Sequence, residues 1–424
     1  MRGTDLLDKM DLAAPSFVET AEQAGRPKRN PWLRWGALAA CLALVVFGSS
    51  RLTLADPTPT ASQPPAPDYG GTQPTPTVDG LPLLTVPEDR GSYGFEGYMA
   101  YDISELTTRN GWNEDVVWET LPVYQNPVTY DDAGKVEGGV DWGSMERRLL
   151  DTAARMGLDP ENLTITDNAP DKTARERIQS KYAAVGETVP AGAFDPTELR
   201  IELEDMTLSV DGSGMVEVEW TPALTLPEEL RFDHDSTAEE LEAVAAYLLE
   251  EYRDLIGMER PTAVLSGGDR DIYGRQSYAL FFCEPEEDAL EAFLQAELGE
   301  RVRFVCDDEG KLWLFRATPS NRTKPVGNYP IVTAEEARKL LLAGNYITTV
   351  PHAITAQDES LIRRVELVYR TGRYDETFMP YYRFYVELPE MEREGGLKTC
   401  GAYYVPAVES RYLTALPVWD GSWN

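Results

Sequence analysis

Four cysteines and two histidines are the residues best suited to chemistry in this 424-residue chain, and their spacing excludes most of it. His234 and His352 lie far apart, so there is no H-E-x-x-H helix and no local His-rich metal site. Cys41, Cys283, Cys306 and Cys400 form no C-x-x-C, which removes zinc ribbons and dithiol redox motifs. No Walker loop, nucleophile elbow or S-x-x-K is present. Gly91, Gly94 and Gly97 are evenly spaced but lack the strand and helix that a phosphate cradle needs, so they read as loop. A Ser-His-Asp triad assembles in space, and nothing local supports one here. The acids of Asp233-His234-Asp235 and Asp269-Arg270-Asp271 lack EF-hand spacing and read as solvated loop residues. The expectation is a non-enzymatic protein with no catalytic residue, metal or cofactor; an envelope hydrolase of unrecognised type is the alternative.

Two other groups of side chains invite a functional reading. Cys283 and Cys306 each end a predicted strand, either side of a helix. A disulfide is geometrically open to them if the strands are neighbours, and buried free thiols are the alternative. The strand around Tyr381 to Leu388 is dense in aromatics. Alternation sends Tyr382, Phe384, Val386 and Leu388 to the core, and Tyr381, Arg383, Tyr385 and Glu387 to the opposite face. That second face is either a polar binding surface or the exposed side of a sheet. With 72 acids against 39 bases the net charge is −33, which argues against nucleic acid as a partner.

The elements that carry these residues follow from periodicity. Met145, Leu149, Leu150, Ala153 and Met156 form a helical stripe that stops at Gly157. Thr237 with Glu240, and Thr333 with Glu336, are capping boxes ahead of apolar runs. Leu290, Phe293, Leu294 and Leu298 mark another helix. Strand patterns cover 262–265, 277–283, 301–306, 311–317, 362–370, 380–388 and 398–405, and a hairpin turns at Asp211 to Gly214. The predicted class is α+β, built as two or three helix-plus-antiparallel-meander units.

The beginning of the chain reads differently. Residues 32–50 are almost uncharged and, at 1.5 Å per residue, extend about 28 Å, enough for one transmembrane helix. Arg26, Lys28, Arg29 and Arg34 precede its uncharged run, Trp35 to Ser50, and place the N-terminus in the cytoplasm. Cleavage after Thr53-Leu54-Ala55 and acylation at Cys41 are alternatives. The expected divisions are a cytoplasmic leader (1–30), a bilayer-spanning helix (31–50), a Pro/Thr-rich stalk (51–90), and extracellular α+β domains at 91–230, 231–325 and 326–424. In the leader, Leu6, Leu7 and Met10 form one apolar edge and Phe17 and Val18 another, too short to fold alone and suited to a partner's groove.

The leader DLLDKMDLAAPSFVETAE, the anchor RPKRNPWLRWGALAACLALVV and ectodomain phrases such as LPVYQNPVTYDDAGKV and FMPYYRFYVELPE resemble a group of single-pass clostridial membrane proteins, some labelled anti-sigma factors. The last hundred residues, through Thr333, Glu335, Glu336 and Ala337, more distantly resemble PepSY-type domains. The resemblance implies a membrane-anchored, anti-sigma-like regulator with an extracytoplasmic sensing domain. Its partners would be a cytoplasmic protein such as a sigma factor and an extracellular ligand. The alternative is an extracellular binding module for wall polymer or peptide whose leader is inert.

Overall fold

The computed structural model describes residues 76–86, 99–107, 109–129, 138–186, 188–189, 193–233, 235–270, 276–372, 375–391 and 398–421. All belong to one unit, Gln73–Asn424. The leader positions Leu6, Leu7, Met10, Phe17 and Val18, and the segment 31–50, lie outside the described residues.

In chain order the strands begin with β1 (Thr77–Val78), β2 (Leu81–Pro82), β3 (Met99–Tyr101), β4 (Thr120–Gln125), β5 (Thr166–Asp167) and β6 (Glu198–Glu202). Next come β7 (Met206–Asp211), β8 (Val216–Leu224), β9 (Thr262–Arg270), β10 (Gln276–Cys283), β11 (Arg301–Cys306) and β12 (Leu312–Thr318). The last are β13 (Pro325–Pro330), β14 (Ile347–Thr348), β15 (Ile362–Tyr369), β16 (Thr377–Phe378), β17 (Pro380–Glu387) and β18 (Thr399–Pro406). The helices are α1 (Trp142–Arg155), α2 (Lys172–Ala184), α3 (Ala238–Glu251), α4 (Arg253–Ile256), α5 (Ala289–Leu298) and α6 (Ala334–Leu342).

The helices stand where stripe and cap require. Met145, Leu149 and Ala153 of α1 are buried, and Gly157 follows at φ +78, a conformation that costs glycine little. Both capping boxes form, at Thr237 with Glu240 and at Thr333 with Glu336. One apolar face runs from Leu241 to Ile256, but α3 and α4 divide at Tyr252. α1, α3 and α4 place their apolar residues against Ile201, Leu208, Val218, Phe282, Phe304 and Phe315 on one face of the sheet.

The expected fold class needs correction on two counts. The strands do not form separate meander units. One 13-stranded antiparallel sheet runs β15-β17-β18-β3-β9-β10-β11-β12-β8-β7-β6-β5, with β14 paired to β18. A hairpin chain of antiparallel strands can keep adding neighbours as long as each new edge finds a partner, so the helices share one sheet rather than closing their own. The second correction is to the transmembrane helix that was to precede it. Among the described residues no helix is long and apolar enough to cross a membrane. The architecture is β-rich, with short helices packed on a large sheet.

A second layer, the three-stranded sheet β13-β4-β16, adds another finding. It helps to cover the face of β17 opposite Tyr382, Phe384 and Val386, which pack in a cluster with Leu341, Tyr403 and Val405. On that other face Tyr381 packs with Val123, Tyr329 and Met379, and Tyr385 with Leu106 and Cys400. Tyr381 and Tyr385 are each 1 % exposed, so this is not an open sheet face. Tyr385→Ala should therefore destabilise the protein by about 3–5 kcal/mol, the range for emptying a buried aromatic site. Urea unfolding of the two proteins measures it; a change within about 0.5 kcal/mol would mean a surface position.

Candidate functional site

Alternation along β9, β10 and β11 divides their side chains between two environments. Leu280, Phe282, Val302 and Phe304 join the helix-covered core. The residues between them, Thr262, Val264, Phe281, Cys283 and Arg301, floor a cavity of about 180 Å³ on the opposite face. Cross-strand register aligns this floor: Val264 lies opposite Phe281, Thr262 opposite Cys283, and Phe281 opposite Arg303.

The roof is α5, and its own amphipathicity positions it. Asp288 caps it by accepting N–H groups from Leu290 and Glu291. Phe293, Leu294 and Leu298 turn towards the cluster that contains Leu367 and Tyr369 of β15. That leaves Ala292, Gln295 and Ala296 facing the cavity. Phe293 meets the Tyr369 ring with centroids 5.8 Å apart.

Two guanidinium groups, Arg109 and Arg301, line this space. Arg109 lies 5.7 Å from the Phe281 ring centre, and Arg303 approaches the same ring at 5.9 Å. Arg109 is anchored by Glu297, its Nε 3.7 Å from Oε1. Glu297 is 5 % exposed. Its oxygens also accept from Asn110 Nδ2 at 3.1 Å and from the Tyr369 backbone N–H at 2.9 Å. Asn110 donates in addition to the Leu367 carbonyl at 2.8 Å. Arg301 makes no ion pair among the described residues; its Nη1 reaches the Glu297 carbonyl at 3.5 Å. Burial, with the Arg109 charge beside it, pulls Arg301 down to about 10. It remains charged at neutral pH, in an environment that favours an added negative charge.

Acids limit that attraction. Glu284 and Glu286 also line the cavity. The Glu284 carboxylate is held at the rim by backbone N–H groups of Glu259 and Arg260. Chemically the arrangement offers a cationic end, an aromatic and aliphatic floor, and a carboxylate rim.

The side chains singled out from sequence fall in several places. Cys283 lines the cavity, and burial raises its thiol pKa, so it is a protonated thiol. Cys306 and Cys400 are free as well; burial pushes each up to about 11. Because β10 and β11 are antiparallel, with Phe282 opposite Val302, Cys283 stands at the start of β11 and Cys306 at its end. At about 3.4 Å per residue the two lie roughly 17 Å apart, beyond the reach of a disulfide. Arg383 pairs with buried Glu366, which Arg364 also binds at 2.8 Å. Glu387 pairs with Arg363 and with Lys398, the latter at 3.2 Å. The structure therefore gives Tyr381, Arg383, Tyr385 and Glu387 packing and pairing roles, away from the cavity.

A second hollow, of about 240 Å³, lies among Trp112, Glu114, Trp118, Glu335 and Tyr382. Two polar ring atoms there are already engaged, Trp112 Nε1 by the Val116 carbonyl and Tyr382 Oη by that of Val332. Among the described residues no group of three or more His, Cys, Asp or Glu is placed to hold a metal ion. Sequence reasoning found the strand that carries Arg301 but not its significance. The available signal was Arg301-Val302-Arg303-Phe304, which alternates charge with core residues.

Glu297→Leu should destabilise the chain by about 3–5 kcal/mol, because it strands Arg109 and the Tyr369 amide in low dielectric. Glu297→Gln, which keeps one acceptor oxygen, should cost distinctly less; urea midpoints of the two variants check the order. Compared with protein-family models and with curated proteins, the chain matches none.

Proposed function

We propose that this is a non-enzymatic regulatory protein of the cell envelope, whose sheet body senses or binds a small anionic ligand in the Arg109–Arg301 cavity. The observation that carries the reading is the pair of guanidinium groups in one cavity, only one of them matched by a carboxylate. In a chain of net charge −33 a half-buried arginine with no ion pair among the described residues needs a reason. The roof and the floor come from rigid elements, as a preformed small-molecule site requires. The reading is compatible with an anti-sigma-like role, in which the leader contacts a cytoplasmic protein such as a sigma factor through Leu6, Leu7, Met10, Phe17 and Val18. An extracellular binding module with an inert leader is the second reading, and the same cavity would serve it.

Two measurements test this. Cys283 lines the cavity, so an anion bound there should slow its alkylation by iodoacetamide in the full chain; phosphate, acetate and aryl carboxylates form a sufficient panel. If none of them slows it, the cavity is not an anion site. For the regulatory part, a peptide of residues 1–30 should recover a partner from cell lysate, and Leu7→Asp with Phe17→Asp should abolish the recovery. Equal recovery by both peptides would put the binding-module reading first.

A further inference from the structure

Within the anion site proposed above, and resting on that reading, the geometry points to one class of ligand: a monocarboxylate carrying an apolar group, its carboxylate on Arg301 and its apolar part against the lining of Val264, Phe281, Ala292 and Ala296.

Charge comes first. Arg109 is matched by Glu297, whose carboxylate it meets at 3.7 Å. Arg301 has no ionic partner among the described residues, so one guanidinium is left to neutralise. The same cavity is lined by Glu284 and Glu286. A dianion such as phosphate would satisfy Arg301 with one charge and bring the second against those two carboxylates. A carboxylate fits better, being planar, singly charged and matched to the guanidinium fork.

Shape and polarity come second. Val264, Phe281, Ala292 and Ala296 supply an apolar floor and roof. A small hydrophilic acid would leave that surface in contact with water, whereas an aryl or alkyl group removes it. Arg109 and Arg303 already lie over the Phe281 ring, so an aromatic or aliphatic chain would pack against the apolar lining that Phe281 shares with Val264, Ala292 and Ala296. The depressed pKa of Arg301 agrees with this arrangement, because burial is the larger part of its cause and a bound carboxylate compensates that cost.

Such a carboxylate can come from a free organic acid or from the C-terminus of a peptide, and the test separates them. Calorimetry on the full chain would compare 3-phenylpropionate, 3-phenylpropionamide, inorganic phosphate and N-acetyl-alanyl-phenylalanine. The acid should bind at least about tenfold more tightly than its amide, the loss that accompanies removal of a charge-assisted hydrogen bond. It should also bind more tightly than phosphate. Binding of the dipeptide as tight as that of the small acid assigns the site to peptide C-termini; binding of the small acid alone assigns it to free acids. Both outcomes uphold the carboxylate class. Arg301→Met should weaken binding of 3-phenylpropionate about tenfold or more, while Arg231→Met, half exposed and outside the cavity lining, should cost less than about threefold. Equal binding of acid and amide, or phosphate binding tighter than the acid, overturns the inference while leaving an anion or a neutral ligand in place. Binding by no member of the series removes the anion site itself.

Discussion

A buried carboxylate must be surrounded by donors, and at Glu297 that requirement joins parts of the chain far apart in sequence. Its donors are the Arg109 guanidinium, the Asn110 amide and the Tyr369 backbone N–H. The carboxylate belongs to α5, which grows from the β10–β11 connection, whereas Tyr369 ends β15 at the far margin of the sheet. Helix and strand therefore hold each other through one charge. The cavity inherits its shape from this linkage: α5 is its roof, Arg109 part of its lining, and both are placed by Glu297. A stability element and a recognition element thus share a residue. A ligand that drew Arg109 towards itself would loosen its hold on Glu297, and the remaining donors, Asn110 and Tyr369, would keep the carboxylate satisfied.

The two-sided burial of β17 and β18 follows a related logic. Every residue of β18 is buried. Such strands read as continuous apolar runs rather than as alternating ones, and the polar side chains within them must be paired in place. Glu366 meets that need for Arg383 and Arg364. Tyrosine suits this setting because it fills volume while its hydroxyl reaches a partner: Tyr382 donates to the Val332 carbonyl, Tyr403 to that of His352 and Tyr369 to that of Pro122.

Legibility in the sequence tracked how local each signal was. Capping boxes and apolar stripes are local, so α1, α3, α5 and α6 could be placed from residues such as Thr237, Phe293 and Thr333 alone. α2 was missed because none of its residues is buried, so it has no stripe to find. β4 and β13 were missed because Pro122, Pro325 and Pro330 read as breaks; β13 is an outer strand, where prolines are tolerated, but Pro122 sits in the central strand β4, opposite Asn328. Without that layer, Tyr381 and Tyr385 looked like members of an exposed face. The expectation that each helix-and-meander unit would close on itself failed for a different reason: nothing local records which strand an edge will accept. The cavity was hidden in the same way, since Arg109 lies in a loop and meets Arg301 only after the sheet has formed.

The sheet also has a seam. Among the described residues β3 is the strand that connects the β15-β17-β18 side of the sheet to the β9–β12 side, and it is three residues long. It pairs Tyr101 with Arg270 on one flank and Met99 to Tyr101 with Gly401 to Thr399 on the other. During synthesis β3 emerges early but must wait for nearly the whole chain before β18 exists to receive it. Closure is then a late event across a very long loop, entropically costly and slow relative to the hairpins on either side. Until it happens, β9 and later β18 present unpaired edges, the state in which antiparallel sheets recruit other chains. A chain interrupted between residues 343 and 398 would keep its middle strands and helices yet lack the strand that joins them to the rest, so the seam makes the final segment the arbiter of whether a nascent molecule matures or aggregates.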